Sequence, residues 1–271
     1  MKNSYIGMRF SVGGDETDVE VIHRPVSVMR LRVMPDGSLQ VTAPPGADIQ
    51  GFIQRKSDWV MRKREEVAAI AEACEGREDL LLLNGRYYTL AHGPACRVAE
   101  ETGSVTYTTP QRLRRHLVEN LRSDLLARVE RNAERMGVTY GGISVRAQKT
   151  RWASCSGRSH LSFNLAIAAL PDILKEYIVI HELAHLLHPD HSRRFWGAVG
   201  EFYPGVRQAD RELKKYWIFI GRNRCWAVLR QVGEWEHAFR QHIETPFQHP
   251  SPADAFTPSG TLRRGEPGGP V

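Results

Sequence analysis

The residues best suited to chemistry lie together at His181-Glu182-Leu183-Ala184-His185, with two more histidines at His188 and His191. Histidines four apart on a helix sit about 40° apart around the axis and roughly 6 Å along it, so both imidazoles reach one small ion. Zinc takes nitrogen and sulfur ligands in a tetrahedral site, and a catalytic site keeps one position for water, whose pKa falls to about 7. Glu182 directly follows the first histidine, where this pattern places its general base. Its carboxylate can take the proton of that water and later deliver it to a leaving group. Tyr177, Ile178, Val179 and Ile180 precede the pattern. A glutamate set into so apolar a helix is costly without a task of this kind.

A third protein ligand is needed, and His188 and His191 both stand near. If the helix ran on, His188 would lie about 10 Å along the axis from His181, an awkward span for one ion. Pro189 steers the preceding residue away from helical geometry, so the helix should end near His188. The chain can then turn back and bring in His191, while Ser192 caps the helix that follows. His191 is therefore the favoured third ligand, and His188 faces solvent or supports the site from behind.

Other elements must hold this helix in place. The chain has 271 residues, 41% hydrophobic and 25% charged, enough for a sizeable core. Residues 26–34 and 39–43 read as strands of a hairpin around Pro35, Asp36 and Gly37. One helix is expected from about Asp48, with apolar positions from Ile49 to Ile70 at helical spacing. Asn84-Gly85 is the strongest hairpin signal, and strand-like pieces follow at 96–99 and 105–108. Pro110 opens and Gly137 closes a long helix with an apolar stripe through Leu113, Leu117, Leu121, Leu125, Val129 and Ala133. Residues 143–148 and 160–165 read as strands, and Pro171 opens the helix of the histidine pattern. Two shorter helices follow near 192–202 and 208–220. The chain is thus expected to be α+β. A β-rich N-terminal portion spans residues 1–110, a helical portion 111–225 and a C-terminal extension 226–271, disordered from about 245.

No apolar run is long enough for a bilayer, and residues 1–10 lack an apolar core of signal-peptide length, so no membrane partner is expected. Cys74, Cys96, Cys155 and Cys225 are dispersed and form no C-x-x-C pair, which fits a reducing cytoplasm. The net charge of +6 permits contact with nucleic acid, but no nucleic-acid motif accompanies it. Many of the cations read as solvated helix faces. Cys155 has no matched base and reads as a neutral thiol rather than a nucleophile.

At these residues the chain resembles the YgjP-like metallopeptidases, a family related to the SprT-like and WLM proteins. The resemblance rests on His181-Glu182-Leu183-Ala184-His185, then His191-Ser192-Arg193-Arg194-Phe195-Trp196 after five residues. It extends to Arg151-Trp152-Ala153-Ser154-Cys155-Ser156, with alanine at 153 where relatives often have glycine. Asp36-Gly37, Pro44-Pro45-Gly46, Asp58-Trp59 and Asn84-Gly85-Arg86-Tyr87 are similar too, so the likeness covers roughly residues 18–225. It implies a small zincin-like metallopeptidase fold, zinc on His181, His185 and His191, and Glu182 as the catalytic glutamate. It also implies a protein or peptide substrate paired along an exposed edge strand, for which residues 161–164 are the candidate. Some relatives act as UTP pyrophosphatases, which keeps a nucleotide substrate open. Arg151 would then bind a phosphate, or else form an ion pair beside Trp152. Tyr203, His188 and Arg151 are all open as the oxyanion-stabilising group. A non-catalytic zinc protein is the remaining reading, and it requires a fourth protein ligand.

Overall fold

The computed structural model describes residues 5–148 and 150–231. The tail expected to be disordered from about 245 lies outside these residues. The chain begins with a hairpin of β1 (Tyr5–Val12) and β2 (Asp15–His23). Gly13 and Gly14 form its turn, both at positive φ, which glycine adopts without a Cβ penalty. A second hairpin pairs β3 (Arg30–Val33) with β4 (Leu39–Ala43). Parallel pairing of β2 with β4 gives a four-stranded sheet in the order β1-β2-β4-β3. Val19, Val21, Leu39, Val41 and Ala43 alternate onto one buried face. The single helix expected from Asp48 is two helices, α1 (Ile49–Gln54) and α2 (Ser57–Glu72), separated at Arg55 and Lys56. The Asp48 side chain caps α1 by accepting from the Gly51 amide at 2.8 Å.

The second sheet joins β5 (Leu81–Leu83), β6 (Arg86–His92), β7 (Arg97–Ala99) and β8 (Ser104–Tyr107) in the order β5-β6-β8-β7. Asn84 and Gly85 make the two-residue turn between β5 and β6 with φ of 49° and 77°. Both turn amides donate into the segment before the histidine helix, Asn84 to the Ala168 carbonyl at 2.9 Å and Gly85 to that of Ala169 at 2.8 Å. A Cβ on Gly85 would meet Pro171 and the Tyr216 hydroxyl at 3.1 Å. This hairpin therefore docks where the histidine helix starts.

The long helix α3 (Pro110–Met136) is capped by Thr109 and stopped by Gly137 in the left-handed region. Its stripe from Leu113 to Ala133 is buried throughout. The third sheet comprises β9 (Gly142–Arg146), β10 (Ala153–Cys155) and β11 (His160–Asn164). Its order is β10-β11-β9. The expectation that residues 161–164 form an edge is overturned. β11 lies in the middle, antiparallel to β10 and parallel to β9. Its alternating residues Leu161 and Phe163 are fully buried, as a central strand requires. The edges are β9 and β10, and β10, which faces the histidine helix, is too short to show a period of its own.

A 3-10 turn (Leu165–Ala169) leads into α4 (Asp172–Leu187), followed by α5 (Arg193–Phe202), α6 (Val206–Arg222) and α7 (Arg224–Arg230). In α7, Trp226 is fully buried and donates its indole N–H to the Leu82 carbonyl at 2.8 Å. Buried side chains fall into two clusters. The smaller runs from Phe10 to Val60, and the larger gathers residues from Cys74 to Leu229, including α3 and α4. No described helix is long and apolar enough to cross a membrane.

Candidate metal centre

The site is built on α4. Leu174, Tyr177, Ile178 and Ile180 bury one side of this helix in the larger core. That burial sets the rotation of the next turn, so His181, Glu182 and His185 point together. Lys175, 5% exposed, pins the start of the helix. Its ammonium donates to Asn84 Oδ1 at 2.6 Å and lies 3.4 Å from carboxylate oxygens of Asp124 and Asp172. Arg128 of α3 adds bonds to Asp124 and Asp172, both at 2.8 Å.

The helix stops as Pro189 requires. His188 is its extended C-terminal cap (φ −137°, ψ 105°), and its amide closes on the Ala184 carbonyl at 2.9 Å. The chain then doubles back, and His191 Nε2 comes within 3.2 Å of His181 Nε2. His188 is not part of this group. Ser192 caps α5, accepting from the Phe195 amide at 3.5 Å. The Phe195 ring, fully buried, lies 4.9, 4.5 and 4.8 Å from the imidazoles of His181, His185 and His191. It is a rigid floor under all three rings. The His185 ring is also tied to backbone carbonyls of His188 and Pro189, which leaves its other nitrogen for the cluster.

Ligand nitrogens of His181, His185 and His191 all lie within 4.8 Å of one another. Tetrahedral bonds of about 2.0–2.1 Å separate ligand atoms by roughly 3.3 Å, so these donors fit zinc with a small adjustment. Burial and the neighbouring rings of His185 and His191 push His181 down to about 4. Three imidazoles converging on one point are a group that could hold a metal ion. Among the described residues no fourth histidine, cysteine or carboxylate joins the group.

A cleft of roughly 560 Å³ opens in front of the cluster, between α4 and β10. Glu182 lines it and is 5% exposed, with Oε2 bonded to nothing in the protein. Burial pushes its carboxyl up to about 7, against the pull of the Arg151 guanidinium and the Cys155 backbone. Arg151 and Cys155 also line the cleft. Burial raises the Cys155 thiol, as does the nearby Glu182 carboxylate, so it is not an activated nucleophile. Of Tyr203, His188 and Arg151, only Arg151 reaches the cleft wall. Tyr203 packs instead on Tyr177, with ring centroids 5.1 Å apart.

Two supports escaped the sequence reading. Asn164, fully buried at the end of β11, donates to the Gln148 and Arg151 carbonyls at 2.9 and 2.7 Å and accepts from the Ala166 amide at 3.1 Å. It thereby holds Gln148 and Arg151, just ahead of β10. Tyr177 donates to Asp210 Oδ1 at 2.7 Å, locking α4 to α6. A buried asparagine at a strand end is a recognisable oddity, but the two carbonyls it donates to lie 16 and 13 residues away.

The family described as YgjP-like, metallopeptidase domain, matches residues 27–216. Among solved structures, the metallopeptidase zymogen of Pyrococcus abyssi abylysin is 28% identical, with a TM-score of 0.32. That match covers 34% of this chain and 93% of the other. The metallopeptidase zymogen of Methanocaldococcus jannaschii jannalysin is 17% identical, also with a TM-score of 0.32, covering 34% and 94%. No curated protein matches the chain significantly.

Proposed function

The chain belongs to the YgjP-like metallopeptidase family, and from that premise we propose that it is a zinc-dependent peptidase in which His181, His185 and His191 hold the metal and Glu182 moves the proton. Zinc, when bound, supplies Lewis acidity toward a carbonyl oxygen and acidifies a water. The Glu182 carboxylate accepts the proton of the attacking water and returns it to the departing amine. The free edge of β10 offers main-chain groups to an extended substrate, which would run through the cleft past Glu182. Arg151 stands at the start of that edge as a substrate-binding group.

The observation that carries this reading is the buried, unpaired Glu182 oxygen in the same cleft as three convergent imidazoles. A closed structural zinc site would engage a fourth protein donor, and a core histidine cluster would leave no carboxylate without a partner. The test combines elemental analysis with turnover. Wild type should carry about one zinc per chain, and His191→Ala should lose or weaken it. Glu182→Gln should retain zinc while peptide hydrolysis drops by roughly 10²–10⁴. Undiminished hydrolysis by Glu182→Gln, or a wild type that binds no zinc when supplied with it, would remove the proposal.

A further inference from the structure

Four arginines stand on the two chain segments that frame the cleft. Arg151 lines it directly, and Arg158 sits in the turn between Gly157 and Ser159, which both line it. Arg193 and Arg194 begin α5, two and three residues after His191. All four side chains are exposed. Among the described residues, none of these guanidiniums makes a hydrogen bond or meets a carboxylate at ion-pair distance. Several arginines elsewhere do have carboxylate partners. Arg128 meets Asp124, Asp172 and Glu176, Arg131 meets Glu176, and Arg224 meets Asp79. Across residues 151–160 and 181–194 the only carboxylates are Glu182, which is buried, and Asp190. Ser192 already bonds Asp190.

The placement of this unpaired charge gives it a meaning that scattered solvated arginines lack. Arg151 lies two residues before β10 and Arg158 three residues after it. A substrate paired along β10 advances about 3.3 Å per residue, so the two arginines bracket the stretch that passes Glu182. Guanidinium binds carboxylate bidentately, and a cleft rimmed by one sign of charge concentrates ligands of the other.

We propose that the cleft selects peptide segments bearing Asp or Glu side chains on both sides of the scissile bond, bound by Arg151 and Arg158, with Arg193 and Arg194 adding to the attracting field. The inference rests on the peptidase reading and names its substrate class. The test uses matched peptides with Glu, Gln or Lys at the flanking positions. Two quantities are measured: cleavage by the zinc-loaded full chain, and binding to zinc-loaded Glu182→Gln by fluorescence anisotropy. The Glu peptide should be cleaved and bound roughly tenfold or more better than the Gln peptide at low salt. Most of that gain should vanish as added salt shortens the screening length from about 30 Å toward 3 Å. Arg151→Glu combined with Arg158→Glu should reverse the preference toward the Lys peptide with zinc content unchanged. Arg97→Glu, an equal charge change per site on the exposed edge strand β7, should leave it intact. Equal handling of the three peptides would overturn the inference. So would a loss of preference in Arg97→Glu equal to that at the rim, or displacement of the Glu peptide by a DNA oligonucleotide at lower concentration than by unlabelled Glu peptide. If no peptide is cleaved yet the Glu peptide binds tightest through Arg151 and Arg158, the charge selection stands and the peptidase reading falls.

Discussion

Between pH 4.5 and 6.5 the metal-free site carries opposing proton linkages. His181 sits at about 4 when folded, because burial and the neighbouring imidazoles disfavour its charge, against 6.5 unperturbed. Below 6.5 the unfolded chain binds the extra proton, so this residue's contribution to stability is full above 6.5 and lost as pH falls toward 4. Glu182 is the reverse case. Burial, only partly countered by Arg151, raises it to about 7 from 4.5. Its contribution is full below 4.5 and lost as pH rises toward 7. In wild type the Glu182 linkage opposes that of His181 and that of His185, whose imidazole is also pushed down by burial. Metal-free Glu182→Gln keeps only the histidine contribution, so its melting temperature should climb with pH from 4.5 to 6.5 more steeply than that of metal-free wild type. Thermal melts across that window decide the matter. Parallel slopes would mean that Glu182 titrates in the ordinary carboxylate range.

At the scale of elements, the strand that faces the cleft is the least self-sufficient. β10 has three residues and one neighbour in its sheet. It holds its place because Asn164 bonds the Gln148 and Arg151 carbonyls just upstream and the Asn164 amide donates to the Trp152 carbonyl at 2.7 Å. Asn164→Ala leaves those two side-chain-bonded carbonyls and the Ala166 amide without their partner. The expected cost is about 2–3 kcal/mol by urea unfolding. Its more telling consequence should be a raised KM with zinc content unchanged, since β10 and Arg151 would shift while the helix bearing the histidines would not. A lowered zinc content would instead place Asn164 in the support of the metal ligands.

Across the whole molecule, Lys175 is the point where separate parts meet. Its ammonium links the β5–β6 turn through Asn84, helix α3 through Asp124 and the first turn of α4 through Asp172. Asp172 is largely exposed, so that pair contributes little. The Asn84 and Asp124 contacts are more sheltered, and Lys175→Ala would strand both acceptors. A loss of about 3 kcal/mol is expected, measured by denaturant midpoint. Because the same contacts fix the start of α4, zinc affinity should weaken as well. The smaller N-terminal core shares none of these bonds, its buried residues ending at Val60.

What the sequence determined by itself was local. The His181–His185 spacing, the stop at Pro189, the Asn84-Gly85 turn and the caps Thr109 and Gly137 each depend on a few adjacent residues, and each is present. The return of His191 was legible for the same reason, since six residues and one proline constrain where it can go. Tertiary structure alone decided what depends on non-local pairing. Alternation in residues 160–164 announces a strand but not its neighbours, so only the assembled sheet put β11 in the middle and β10 at an edge. The break at Arg55 and Lys56 within an unbroken apolar period was likewise invisible. The Asn164 bonds to the Gln148 and Arg151 carbonyls and the unpaired arginine rim join separate chain segments, and the Phe195 floor forms only once α5 folds back on α4. Spacing can bring two ligands to one face of a helix, but which carboxylate loses its solvent and which cation lacks a partner is settled by what packs around them.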